Sequence, residues 1–89
     1  MKILKYALMT PGTTTLYLSA DAKPLHVGGQ HGELMMWVLV PEGPSVKRSF
    51  TVYATGQEGA KGIYIGTAVT EHGTFVWHVF EQPNTYAGV

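Results

Sequence analysis

The 89-residue chain has no cysteine, which excludes a disulfide framework, a thiolate nucleophile and a thiolate metal site. Aspartate occurs only as Asp21, so a paired-carboxylate centre would have to draw on glutamates in turns. Charge of either sign is scarce: Asp, Glu, Lys and Arg make up 13% of the residues, about half the share of roughly 25% usual in globular chains. Six Lys and Arg balance six Asp and Glu, and zero net charge argues against a dedicated nucleic-acid backbone binder or a polybasic membrane anchor. The longest apolar run, residues 34–40, is far too short to span a bilayer. Lys2 and Lys5 interrupt the apolar residues at the start, so no targeting segment is expected and the expected place is cytoplasmic.

Helix-length stretches are also missing, because 11 glycines and 5 prolines punctuate the chain and β-branched and aromatic residues fill the gaps between them. The pattern predicts an all-β fold. Strands are expected over residues 2–8, 13–19, a short piece around Leu25 and Val27, 34–40, 46–54, 63–70 and 75–81. Gly28-Gly29 reads as a bulge or a close backbone approach. Gln30-His31-Gly32-Glu33 and Glu71-His72-Gly73-Thr74 read as hairpin turns. Alternation assigns Leu16 and Leu18 inward against Thr15, Tyr17 and Ser19, and opposes Phe50, Val52 and Ala54 to Ser49, Thr51 and Tyr53. Residues 34–40 are apolar at every position, so both faces of that strand are expected to be buried, the second by a loop, a sheet or another subunit. Short strands at this turn spacing predict one small antiparallel β-sandwich or flattened barrel of about seven strands over residues 1–82, with a tail over 83–89. Low charge and surplus apolar surface predict a homo-oligomer.

Residues able to carry chemistry are few. His26, His31, His72 and His78 include no His-x-His pair, the spacing that puts two ligands on one strand face, so no metal site and no cofactor are expected. No serine lies beside a histidine or in a Gly-x-Ser-x-Gly elbow, and no catalytic residue is assigned. The segment from Thr55 to Gly62 is glycine-rich and contains Lys61, but it leads into a strand rather than a helix and does not match a phosphate loop. Lys47-Arg48 is the single basic cluster. With nearby aromatics it suits one phosphate-bearing or planar ligand, whereas an extended nucleic acid would need basic residues in a continuous track. His78 shares a strand face with Val76 and Phe80, which fits either a hydrogen-bonded core residue or a ligand contact.

Lys2-Ile3-Leu4-Lys5-Tyr6, the corner over residues 19–27, Trp37-Val38-Leu39-Val40 and the block over 48–81 together resemble a family of small uncharacterised domains of bacteriophages. The most specific matches are Tyr53-Ala54-Thr55-Gly56-Gln57, Tyr64-Ile65-Gly66-Thr67 and Val76-Trp77-His78-Val79-Phe80-Glu81. Family members often carry a histidine where this chain has Gln57, which leaves that position hydrogen bonding rather than metal or acid–base chemistry. The resemblance implies a viral origin and carries no activity with it.

For a viral chain of this composition the expectation is a non-enzymatic binding protein in the cytoplasm of the infected bacterium. It would act in counter-defence by sequestering a nucleotide second messenger or a host protein; the alternative is a structural or accessory virion protein. The expected ligand-binding residues are Arg48, Thr55, Gly56, Gln57, Tyr64 and His78. Arg48 would supply a forked cation, Gly56 a close backbone approach, Thr55 and Gln57 hydrogen bonds and Tyr64 a stacking face.

Overall fold

The computed structural model describes residues 1–83, so the expected tail lies outside the described residues from position 84 onward. Seven strands follow one another: β1 (Lys2–Ala7), β2 (Gly12–Ser19), β3 (Lys23–Gln30), β4 (Glu33–Val40), β5 (Ser45–Ala54), β6 (Ile63–Thr70) and β7 (Phe75–Glu81). A short 3₁₀ turn, Glu71–Gly73, joins the last two. They form a three-stranded sheet in the order β1-β4-β3 and a four-stranded sheet in the order β2-β5-β7-β6, with antiparallel pairing throughout. The fold is a small antiparallel β-sandwich.

Period-two patterning decides which side chains meet between the sheets. Leu18, Leu34, Met36, Val38, Phe50, Val52 and Val79 are fully buried there, each at a position that alternation sends inward. Where β3 passes β6 the two sheets come unusually close. A Cβ on Gly29 would lie 2.6 Å from the Val69 carbonyl oxygen, and one on Gly66 would lie 2.7 Å from Val27 Cγ2. Gly29 is therefore a close approach, while the bulge falls instead between Pro24 and His26.

At that bulge Leu25 is the extra residue and stands 47% exposed, while Val27 is buried. Two expectations about facing change because neighbours outside the strand cover an outward position. Ser19, expected in solvent, is 6% exposed, with Gly43 of the β4–β5 connection against it. Tyr53 is 8% exposed, its ring meeting the edge of Phe80 from the adjacent strand at 5.6 Å.

β4 differs from expectation by degree. Its inward face, Leu34, Met36 and Val38, is buried, whereas Met35, Trp37 and Leu39 on the outward face are half-buried. Their partial cover comes from the same sheet: the His26 ring lies 5.6 Å from that of Trp37, and Lys5 Nζ donates to Gln30 Oε1 across the sheet at 2.5 Å. Among the described residues no third layer lies over this face.

Candidate functional site

β5 splits the expected ligand set between two environments, because successive residues on a strand point to opposite faces. Arg48 shares the inward parity of Phe50 and Val52 and stays at the end of the sandwich. Its Nε and Nη2 donate to the two carboxylate oxygens of Glu81 at 2.7 and 2.8 Å, and its Nη1 donates to the carbonyls of Ala22 and Ser19 at 2.7 and 3.2 Å. Both partners of the ion pair are about 15% exposed. The hydrogen bond to Glu81, opposed by burial and assisted by the carboxylate charge, raises the Arg48 pKa above its ordinary value. With its fork occupied on both sides, Arg48 ties β5 to β7 and to the β2–β3 corner.

The remaining expected residues gather at the other surface of the four-stranded sheet. His78 is at the middle of β7, opposite Tyr53 of β5 and Thr67 of β6, and it is half-buried. Both ring nitrogens are engaged: Nε2 shares a hydrogen bond with Thr55 Oγ1 at 2.7 Å and Nδ1 one with Thr67 Oγ1 at 3.0 Å. Thr67 Oγ1 in turn meets the Tyr64 hydroxyl at 2.6 Å. A neutral imidazole donates from one nitrogen and accepts at the other, so the chain from Thr55 to Tyr64 has a direction that reverses when the imidazole changes tautomer and the hydroxyl rotors turn with it.

Tyr64 and Thr67 are three apart, and in a regular strand they would face opposite ways. The register shift between Tyr64 and Gly66 inserts Ile65, which packs against the core, and so returns both residues to the outer face. Phe80 completes the surface, its ring edge-on to Tyr64 at 5.5 Å and to Tyr53 at 5.6 Å. Tyr64 remains 57% exposed. Thr67 and Phe80 were not among the expected residues, and Tyr53 was considered only as an aromatic near Lys47-Arg48; the sequence signal for Thr67 is Gly66, a glycine inside a strand pattern that marks a bulge.

Gly56 and Gln57 have a local task. Gln57 N–H donates to the Ala54 carbonyl at 3.1 Å while its side-chain Oε1 accepts from Ala54 N–H at 3.0 Å. Gly56 adopts φ 88° in that turn, the left-handed region that glycine enters without steric cost. The two residues hold Thr55 in reach of His78. The outer face is thus a strip of two tyrosines, a phenylalanine, an imidazole and two threonine hydroxyls with no charged side chain in its hydrogen-bond network. Among the described residues no group of three His, Asp or Glu side chains could hold a metal ion. No described helix is long and apolar enough to cross a membrane.

Residues 1–88 match the family described as a domain of unknown function (DUF7352), and the chain belongs to it. No curated protein and no solved structure matches the chain.

Proposed function

We propose that this member of the DUF7352 family is a non-enzymatic binding protein that takes a small planar ligand on the outer face of its four-stranded sheet. The observation that carries the reading is the hydroxyl–imidazole chain Thr55–His78–Thr67–Tyr64 beside the exposed Tyr64 ring. Stacking on that ring and hydrogen bonding to reversible hydroxyls suit a nucleobase, so a nucleotide would be held by its base rather than by Arg48 on its phosphate. The use we assign is sequestration of a nucleotide second messenger or host protein during phage counter-defence, by a homo-oligomer in the host cytoplasm. The viral part rests on the sequence resemblance to phage domains.

Calorimetric titration with cyclic and linear nucleotides tests the site. Tyr64→Ala should weaken binding about tenfold, the scale of losing one base–aromatic stack, and His78→Ala should weaken it while Arg48→Ala, if folded, leaves it unchanged. Unchanged affinity in folded Tyr64→Ala and His78→Ala proteins removes the site. A panel of nucleotide and ester substrates should show no turnover; turnover abolished by one substitution would establish an enzyme instead. A virion accessory role is the second reading, favoured by the exposed apolar surface on the three-stranded sheet, and co-sedimentation with assembled particles would support it.

A further inference from the structure

The end of the sandwich where β7 begins carries a feature that the outer-face site does not use. Two turns meet there, His31-Gly32 between β3 and β4 and Glu71–Gly73 between β6 and β7: a Cβ on Gly32 would lie 3.0 Å from Glu71 Oε1. Among the described residues the non-glycine positions with positive φ are His31 (54°), Glu71 (52°) and His72 (54°), and all three belong to these two turns. Left-handed backbone at such residues persists only where the surroundings impose it. Here it places Glu71 among the residues lining an open cavity of about 370 Å³, with Thr10, Gly32, Thr70, Phe75 and Trp77.

The walls of that cavity have a definite chemical character. Phe75 stacks on Trp77 with ring centres 5.6 Å apart and planes 23° from parallel, and Phe75 stays 47% exposed. Trp77 is 8% exposed and its indole N–H is satisfied by Thr70 Oγ1 at 2.9 Å, so it adds a small patch of ring and no further donor, and Phe75 carries most of the exposed aromatic surface. The Glu71 carbonyl accepts from Thr74 N–H at 3.0 Å, while its carboxylate has no hydrogen-bond or ion-pair partner among the described residues. An aromatic stack with its negative π-faces and an unpaired carboxylate on one cavity is complementary to an organic cation.

We propose that this end cavity binds an alkylammonium or guanidinium group, with Phe75 and Trp77 as the cation–π surface and Glu71 as the counter-ion. The site adjoins the outer face, since Thr55 lines a depression together with Phe75 and Trp77, but it uses none of the side chains of the hydroxyl–imidazole chain. Choline and its neutral isostere 3,3-dimethylbutan-1-ol are the probes, because they share shape and differ in charge. Trp37 lies on the other sheet, so Trp37→Phe protein leaves Trp77 as the single tryptophan, excited selectively over the five tyrosines.

Saturable change of Trp77 emission with choline, at least about tenfold tighter than with the neutral isostere, is the expected result. Glu71→Gln should abolish that preference, and Phe75→Ala should weaken choline about tenfold; both side chains are exposed, and circular dichroism checks that each variant is folded. Equal affinity for the two probes, choline binding untouched by Glu71→Gln, or no saturable signal by fluorescence and calorimetry alike in folded protein overturns the proposal.

Discussion

Removing the Arg48 guanidinium would leave the Glu81 carboxylate without its bidentate partner and two carbonyls, Ser19 and Ala22, without a donor. Breaking such a pair costs about 3 kcal/mol or more, a large part of the roughly 5–10 kcal/mol that stabilises a domain of this size. Arg48→Ala should therefore lower the urea midpoint sharply, whereas replacing Arg48 and Glu81 together by Met should cost less than the two single changes added, since neither charge is then stranded. A raised folded-state pKa makes the contribution of Arg48 complete below its unfolded value and lost only as pH climbs through the folded one. Near neutral pH Arg48 itself thus adds no pH dependence to stability, which denaturation at pH 6 and pH 8 of wild type and Arg48→Ala can compare. Arg48 sits in a basic pair and so looks like a ligand cation in the sequence; strand parity turns it inward, and parity is legible, but its partner Glu81 lies 33 residues away.

At the scale of elements, the packing of β3 on β6 depends on two glycines with different neighbours. Alanine at Gly29 would drive a methyl group to 2.6 Å from a backbone oxygen, whereas at Gly66 it would meet the Val27 side chain at 2.7 Å. A methyl group can move aside more easily than a paired strand can. Gly29→Ala is expected to cost about 1–3 kcal/mol, the range for overpacking, and Gly66→Ala less. Combining Gly66→Ala with Val27→Ala should be less harmful than the sum of the two, measured by chemical denaturation; strict additivity would show that the two positions do not press on each other. Strand limits other than those of β3, which runs on through Gly28-Gly29 to Gln30, were readable to within a residue or two because alternation and turn residues are local. The bulges at Leu25 and Ile65 were not, although Ile65 is what puts Tyr64 and Thr67 side by side.

For the whole molecule, the outward face of the three-stranded sheet is the feature that one chain leaves unfinished. Met35, Trp37 and Leu39 are half-buried, Ile3 beside Leu39 in the register is 60% exposed, and full burial of each large side chain is worth about 1.5–3 kcal/mol. Zero net charge supplies little long-range repulsion between copies. We expect light scattering at low micromolar concentration to give a mass of at least two chains, and Trp37→Lys to reduce it to one. A single-chain mass for the wild type would remove the homo-oligomer from the proposal.

The all-β class, the hairpin turns and the inward set on β2 and β5 follow from the sequence alone, because side-chain alternation and turn geometry need only near neighbours along the chain; β4, apolar at every position, left its inward face open. Thr55, Tyr64 and His78 were named from their local motifs, and the structure places them on one face. What only the tertiary structure decided is which distant groups share a surface. It paired Arg48 with Glu81, brought Thr67 and Phe80 to Tyr64, covered Tyr53 and Ser19, and set the His31 turn against Glu71. Each of those outcomes depends on strand order, on register or on one inserted bulge residue. A one-residue shift in any of them exchanges the two faces of a strand, and no local pattern carries the choice of neighbour.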